Sequence, residues 1–251
     1  MTLYIGTSGW AYKEWKPDFY PSDLPQKRWL EHYGSQLTAC EVNATFYRIQ
    51  SEETFAKWAS APPETFRYST KAHRMITHGK GVGPDEGRRT EFIDKFLESV
   101  RPLGARLGVV LLQYPPTKQR DDDGLEQLLR YLPREHRYAF EFRHESWANP
   151  EVKALIAEAG GTICLASTSG AVPNALPPGP LAYVRLRAER YSEEQRAGWQ
   201  GLLQKEAAER DVFAFTKHEG IPTKDEFGGI GLAQWLMKRL ESESYQTDEV
   251  G

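Results

Sequence analysis

The chain has 251 residues, of which 39% are hydrophobic and 27% are charged, and 32 basic residues stand against 35 acidic ones for a formal net charge of −3. This apolar content excludes a disordered chain, and the near-neutral charge argues against a polybasic surface of the histone type. No stretch of about 18 apolar residues occurs, so the sequence predicts no membrane span and no membrane partner.

Eight short apolar runs predict β-strands, and each is followed by enough chain for a crossover helix. Runs of this kind are typical of parallel strands that are buried on both faces. In chain order the predicted strands are Leu3–Thr7, Thr38–Asn43, Phe66–Lys71, Leu107–Gln113, Tyr138–Arg143, Thr162–Ser167, Ala182–Arg187 and Val212–Lys217.

Capping residues and apolar periodicity predict helices in most of the intervals between these strands. The predicted helices are Gln26–Tyr33, a helix capped by Ser51 that reaches Trp58, Thr90–Val100, Leu125–Tyr131 with Asp123 as its cap, a helix from Asn149-Pro150 to Gly160-Gly161, a helix from Ser192 towards Arg210, and Ile230–Leu240. The sixth crossover, Thr168–Pro180, is rich in Pro and Gly and is predicted to be a loop.

This alternation of strands and helices predicts an α/β fold, a (β/α)₈ TIM barrel of eight parallel strands. Its length suits a single domain over residues 1–251, with a polar C-terminal tail that frays from about Ser242. A doubly wound open sheet is the alternative, but Gly6-Thr7-Ser8-Gly9 after the first strand does not match its G-x-G-x-x-G turn.

The cysteines and the N-terminus indicate the cellular compartment. Cys40 and Cys164 lie in apolar runs and are predicted to be reduced core residues. Residues 1–6 lack the basic and apolar regions of a signal peptide. We therefore predict a cytoplasmic protein, while its oligomeric state is not indicated.

Side-chain alternation along the strands brings polar residues together. Residues two apart in a strand face the same way, and polar residues occur mainly at the carboxyl ends, where barrel active sites lie. The polar residues expected at this mouth are Thr7, Glu41, Asn43, Lys71, Gln113, Glu141, Arg143, Arg185 and Lys217. They predict either a self-neutralised ionic layer, for example Glu41 with Arg185 and Glu141 with Lys71, or a ligand site.

The loops on the same side add aromatic residues and a glycine-rich segment. Trp10, Tyr47, His144 and Trp147 are candidates for contact with a substrate, or they seal the top of the barrel. The third loop, Ala72–Arg89, contains Gly79-Lys80-Gly81-Val82-Gly83. It is either a cradle for phosphate or a solvated flexible loop.

The blocks that carry these residues resemble the signatures of the YecE-like family (DUF72), a family of domains of unknown function. The matching blocks are Gly6–Trp10 with Tyr12, Trp15 and Phe19-Tyr20-Pro21; Glu41–Tyr47; Lys71 to Thr77-His78; Leu111–Pro116; Glu141–Trp147; and Tyr183–Arg185. The resemblance covers about Leu3 to Leu240 and implies a TIM barrel. A fold-level similarity of the family to endonuclease-IV-like barrels suggests nucleic acid as a partner.

Two classes of function follow. The first is an enzyme for a small phosphorylated or otherwise anionic ligand, a hydrolase or lyase with Glu41 and Glu141 as its acid/base pair; the cationic residues would bind the anion, and Asn43 and Gln113 would orient it. The same two carboxylates also suit a glycoside hydrolase. The second class is a non-catalytic protein that binds single-stranded or damaged DNA. No cofactor and no metal site are predicted, because the sequence has no H-E-x-x-H or C-x-x-C pattern.

Overall fold

The structure is a computed structural model that describes residues 1–78, 86–218 and 220–248, the side chains of 86–88 and 239–248 apart. Eight parallel strands pair with their neighbours in chain order, and the eighth strand pairs with the first to close the barrel. The strands are β1 (Leu3–Thr7), β2 (Ala39–Val42), β3 (Arg67–Lys71), β4 (Leu107–Tyr114), β5 (Tyr138–Phe142), β6 (Thr162–Ser167), β7 (Leu181–Leu186) and β8 (Asp211–Thr216). The predicted TIM barrel is confirmed.

Helices fill the crossovers and pack around the barrel. They are α1 (Trp29–Gln36), α2 (Ala44–Tyr47), α3 (Glu52–Ser60), α4 (Arg74–Thr77), α5 (Glu86–Val100), α6 (Asp122–Tyr131), α7 (Pro150–Glu158), α8 (Glu193–Ala207) and α9 (Gly229–Asp248). Ser51 caps α3 through the Thr54 amide, and Ser192 forms a capping box with Gln195 at the start of α8, as their sequence positions predict. Residues 168–180 contain no helix, which confirms the predicted loop.

Three helix predictions were wrong in detail. The segment Gln26–Arg28 forms a 3-10 turn, so α1 begins only at Trp29. Asp121, not Asp123, caps α6, because its carboxylate accepts the Gly124 amide hydrogen. The C-terminal segment predicted to fray from Ser242 is helical to Asp248.

The short helices α2 and α4 were not predicted. They follow β2 and β3 directly, at the carboxyl ends of those strands. Both contain only four residues, which is too short for a helical period to show in the sequence. They matter because they hold the loops over the mouth of the barrel close to the strand ends.

Two apolar clusters form the core. The larger cluster lies between the barrel and the helices. The smaller cluster fills the interior of the barrel and consists of Tyr4, Ala39, Val109, Leu111, Ala139, Cys164, Leu181, Tyr183, Phe213 and Phe215. The interior is therefore apolar below the mouth, and its polar residues are placed at the carboxyl ends of the strands.

Both cysteines are buried and free of disulfides, Cys40 in the outer cluster and Cys164 in the interior. This confirms the prediction that they are core residues. Within the described part of the chain, none of the helices combines the length and the apolar character that a bilayer span requires.

Candidate functional site

A connected set of polar side chains closes the apolar interior at the carboxyl ends of the strands. We call it the mouth cluster; its members are Ser8, Glu41, Asn43, Lys71, Gln113, Glu141, Arg143, Arg185 and Arg187. Each is linked to another member by a side-chain hydrogen bond. The barrel therefore brings together most of the polar residues predicted for the mouth.

Arg185, from β7, lies at the centre of the cluster. Its Nη2 donates to Glu41 Oε1 at 2.8 Å, and its Nη1 donates to Glu141 Oε2 at 2.6 Å. The three side chains are at most 5% exposed. Burying ions is costly unless they are paired and hydrogen-bonded, and a single guanidinium here serves both carboxylates.

Glu41 is the most enclosed carboxylate of the cluster. Burial favours its neutral form, but the charge of Arg185 and the hydrogen bonds from Arg185, Ser8 and Tyr183 outweigh burial and lower the pKa of Glu41 from 4.5 to about 2. Asn43 Nδ2 also donates to its Oε1 at 3.0 Å. Glu41 is thus held as a carboxylate, paired with Arg185 as predicted.

Glu141 lies nearer to the rim. Burial again opposes ionisation, yet the charge of Arg185, a hydrogen bond from Gln113 and another from Arg143 lower the pKa of Glu141 below its usual value. Arg143 Nε donates to Oε1 at 2.9 Å, and the Arg143 side chain is 47% exposed. Glu141 is therefore the carboxylate that is bonded to a partly exposed cation, Arg143.

The predicted ion pair between Glu141 and Lys71 is wrong, because Gln113 stands between them. Lys71 Nζ donates to Gln113 Oε1 at 2.7 Å, and Gln113 Nε2 donates to Glu141 Oε2 at 2.8 Å. Gln113 and Glu141 are direct neighbours in the register of β4 and β5. The amide can make both bonds because it carries an acceptor and a donor.

Lys71 itself is nearly buried, at 8% exposure, and its ammonium lies 3.9 Å from the centroid of the Phe46 ring. Burial is the main cause that lowers the pKa of Lys71 from 10.5 to about 8, and the charge of Arg185 adds to it. The opposing effects of Glu41 and Glu141 are smaller. Lys71 is therefore a cation that loses its proton far more easily than a surface lysine.

His78 is close to the same ring but was not among the predicted site residues. Its ring lies edge-on to Phe46 with centroids 4.9 Å apart, and its Nδ1 is 2.9 Å from Thr77 Oγ1. Burial, followed by the charges of Lys71 and Arg143, lowers the pKa of His78. The imidazole is thus favoured in its neutral form at the edge of the cluster.

Ser8 and Arg187 were also missed. Arg187 Nη1 donates to Ser8 Oγ at 3.0 Å, and Ser8 Oγ donates to Glu41 Oε1 at 2.8 Å. The alternation that begins at Tyr4 on the interior face reaches Ser8, and the one that begins at Tyr183 reaches Arg187. The predicted seventh strand, Ala182–Arg187, already contains Arg187 on this face, whereas the first strand had to extend by one residue to predict Ser8.

The structure places two predicted residues outside the mouth. Thr7 faces the helices: its Oγ1 donates to the Gly9 carbonyl at 2.6 Å and lies 2.9 Å from the Tyr33 hydroxyl. Trp147 is buried against Phe142 with centroids 4.3 Å apart. Thr7 was misplaced because strand parity was counted from the end of the strand, and Trp147 because its loop folds back on the outer core.

The remaining predicted residues lie in the segments that follow the strands and are not members of the mouth cluster. Trp10 is partly buried and edge-on to Trp58, whereas Tyr47 is 71% exposed. His144 accepts the amide hydrogen of Ser146 and so caps a short 3-10 turn. Lys217 directly follows β8 and is partly buried. The glycine-rich residues 79–83 lie outside the described residues.

The mouth cluster contains more basic than acidic side chains. The side chains of Lys71, Arg143 and Arg185 bring three basic groups against the two carboxylates, Glu41 and Glu141. Such an excess of basic groups at a partly enclosed site attracts anions. The described residues contain no group of three or more His, Cys, Asp or Glu arranged to hold a metal ion.

Known structures share this barrel. A crystal structure of a DUF72 family protein from Enterococcus faecalis has a TM-score of 0.73 at 18% identity and covers 95% of this chain and 94% of its own. A crystal structure of a DUF72 family protein from Thermotoga maritima has a TM-score of 0.71 at 23% identity, covering 96% of this chain and 100% of its own. These likenesses show the fold.

Sequence comparison supports the same relationship. The UPF0759 protein YunF of Bacillus subtilis (strain 168) is 31% identical over 153 residues, which are 59% of this chain and about half, 53%, of that protein. The family model described as "Protein of unknown function DUF72" matches residues 4–248. The chain therefore belongs to the DUF72 family, as the resemblance of its sequence blocks predicts.

Proposed function

We propose that this protein is an enzyme that binds a small phosphorylated or otherwise anionic substrate at the mouth of the barrel and transforms it by acid/base chemistry of the hydrolase or lyase type. The observation that carries this proposal is the excess of basic side chains around two buried carboxylates. Lys71, Arg143 and Arg185 are three basic groups against two acids, so an incoming anion completes the charge balance.

The roles divide by exposure. Arg143 and Arg187 lie towards the outside and are placed to bind the anion, while Arg185 is enclosed by Glu41 and Glu141. Glu41 has no exposed surface and accepts hydrogen bonds on both oxygens, so its role is to position Arg185 and Ser8.

Proton transfer needs groups that titrate near the working pH. Lys71, with a pKa of about 8, supplies such a group as an acid, and Gln113 links it to the carboxylate of Glu141. Because the pKa values of Glu41 and Glu141 are both lowered, neither is a carboxylic acid at neutral pH. This argues against the glycoside hydrolase hypothesis, which needs a protonated carboxyl group.

Nucleic-acid binding is the second candidate, and Tyr47 is the observation in its favour. Tyr47 is 71% exposed and contacts Phe46, whose ring also contacts Lys71, and an exposed aromatic ring near a cation is typical of surfaces on which bases stack. This function needs contacts along a strand, so it predicts preference for oligonucleotides over small phosphate esters.

A thermal-shift titration separates these candidates. Inorganic phosphate, small phosphate esters, short carboxylic acids and single-stranded oligonucleotides are added to the wild type and to Arg143→Ala. A ligand at 100 times its Kd stabilises by about 2.7 kcal/mol, or roughly 5–10 °C in Tm for a chain of this size. We expect this shift with a small anion in the wild type and its loss in Arg143→Ala.

Arg130→Ala is the matched control, because Arg130 is an exposed arginine on α6 paired with Glu126. It should respond like the wild type. An equal response of both arginine variants would refute the proposed site, and a response to oligonucleotides alone would favour the second candidate.

A further inference from the structure

The burial of the Lys71 ammonium is not required for anion binding alone. Its ammonium is nearly buried, yet within the described residues it has no carboxylate at ion-pair distance. It contacts the neutral oxygen of Gln113 and the face of Phe46 instead. A lysine that serves only to bind an anion works best as a solvated, fully charged group, which this one is not.

Among the described residues, neither glutamate forms an ion pair with Lys71, and each is already bonded to Arg185. That guanidinium occupies Glu41 Oε1 and Glu141 Oε2, while Arg143 occupies Glu141 Oε1. The pair of arginines thus withholds the carboxylates from Lys71 and adds positive charge around it. This arrangement lowers the pKa of the amine, so a larger fraction of Lys71 is neutral and nucleophilic than of a surface lysine.

We propose that the amine of Lys71 attacks a carbonyl group next to the anionic group of the substrate and forms a Schiff base. This inference rests on the proposed function, because the neighbouring arginines must hold the anion. The substrate class is then an oxo acid or a phosphorylated aldehyde or ketone, in which one part of the molecule binds Arg143 and Arg187 and the carbonyl carbon reaches Lys71 Nζ.

The step balances as follows. The lone pair of the neutral amine forms the N–C bond, the C=O π pair moves to oxygen, and one proton passes from nitrogen to oxygen to give a carbinolamine. A second proton on that oxygen lets it leave as water while nitrogen forms C=N. No oxidant or reductant is needed.

In this proposal His78 moves these protons. Its ring and the Lys71 ammonium contact the same ring, that of Phe46, and its lowered pKa favours the neutral imidazole, which can accept a proton and return it. Glu141 lies one amide further away, behind Gln113, and its charge would stabilise the protonated Schiff base.

Reductive trapping tests the proposal. The protein is incubated with sodium cyanoborohydride and one carbonyl compound at a time: pyruvate, glyoxylate, glyceraldehyde 3-phosphate or dihydroxyacetone phosphate. Cyanoborohydride reduces the C=N bond to a stable amine, which mass spectrometry of peptides locates. We expect one equivalent of adduct at Lys71; the oxo acids and the phosphate esters distinguish a carboxylate from a phosphate as the anion.

The variants follow from the geometry. Lys71→Arg keeps the positive charge without the nucleophile and should lose the adduct while anions still raise its Tm. Lys153→Arg, an exposed lysine on α7, should label like the wild type. Because the wild-type peptide map needs no variant, the proposal is tested even if Lys71→Arg folds poorly.

The outcomes separate the two proposals. Adducts spread over surface lysines, or no adduct in a protein whose Tm still responds to anions, overturn the Schiff base and leave the anion site intact. Absence of both the adduct and the anion response overturns both proposals.

Discussion

The lower interior of the barrel and its mouth are lined by the same strands but are stabilised in opposite ways. In the lower part, Leu111, Phe213 and Phe215 are fully buried members of the apolar cluster in the interior. Above, Glu41 and Arg185 are equally buried but depend on one another. Truncating an apolar residue of the interior loses buried apolar surface, whereas removing a charged residue of the mouth leaves its buried partner without a counter-charge.

The largest effect is expected from Arg185→Met. It leaves Glu41 and Glu141 buried without their shared cation, and breaking a buried ion pair by removing one partner costs about 3–5 kcal/mol. Urea unfolding at pH 7 measures the loss. Leu111→Ala in the lower interior should cost roughly as much, about 2–5 kcal/mol, but only through the cavity that it leaves.

Acid distinguishes these two variants. The Arg185→Met variant should recover stability relative to the wild type as its stranded carboxylates become protonated, whereas the loss in Leu111→Ala should be insensitive to pH. A pH-independent deficit in Arg185→Met would contradict the view that the charge, not the volume, is what matters at the mouth.

The second prediction concerns Glu41 in the wild type. Its pKa is lowered from 4.5 to about 2, so its stabilising contribution is present above pH 4.5 and is lost as the pH falls from about 4.5 to about 2. The contribution is up to about 3 kcal/mol, at 1.36 kcal/mol per pKa unit. Unfolding free energies measured at several pH values should fall less steeply for Glu41→Gln than for the wild type; equal slopes would mean that Glu41 is not the group responsible.

Sequence reasoning predicted the architecture and most of the mouth, because both depend on local periodicity. The alternation of Tyr183 with Arg185 is enough to send the arginine inward. Which partner each charge takes is not local: the choice of Gln113 rather than Glu141 by Lys71 depends on the register of β4 and β5 and on the occupation of Glu141 by Arg185. Neither the register between two strands nor the bonding partner of Glu141 can be predicted from the residue spacing within one strand.

The third prediction uses the opposite sign of shift at Lys71. Its pKa is lowered to about 8, so between pH 8 and 10.5 the unfolded chain binds more protons than the folded one, and this group adds stability as the pH rises. Lys71→Met removes that dependence. The free energy of unfolding of Lys71→Met minus that of the wild type should therefore fall by about 2 kcal/mol between pH 7 and pH 10, as measured by urea unfolding. A constant difference would show that the amine is not held in an unfavourable charged state.

The smallest effect comes from two adjacent residues at the carboxyl end of β1, Thr7 and Ser8, whose side chains point in opposite directions. Thr7→Val keeps the shape of the side chain but loses the hydrogen bond from Oγ1 to the Gly9 carbonyl, which should cost about 1 kcal/mol and leave anion binding unchanged. Ser8→Ala removes the link between Arg187 and Glu41 and should weaken anion binding at a similar cost in stability. Tm measured with and without phosphate gives both quantities for each variant. Because the two residues are neighbours with similar side chains, the contrast tests directly which side chain points into the barrel. If only Thr7→Val lost the response to phosphate, the ligand would bind on the helix-facing side of the strand, which would contradict both proposals.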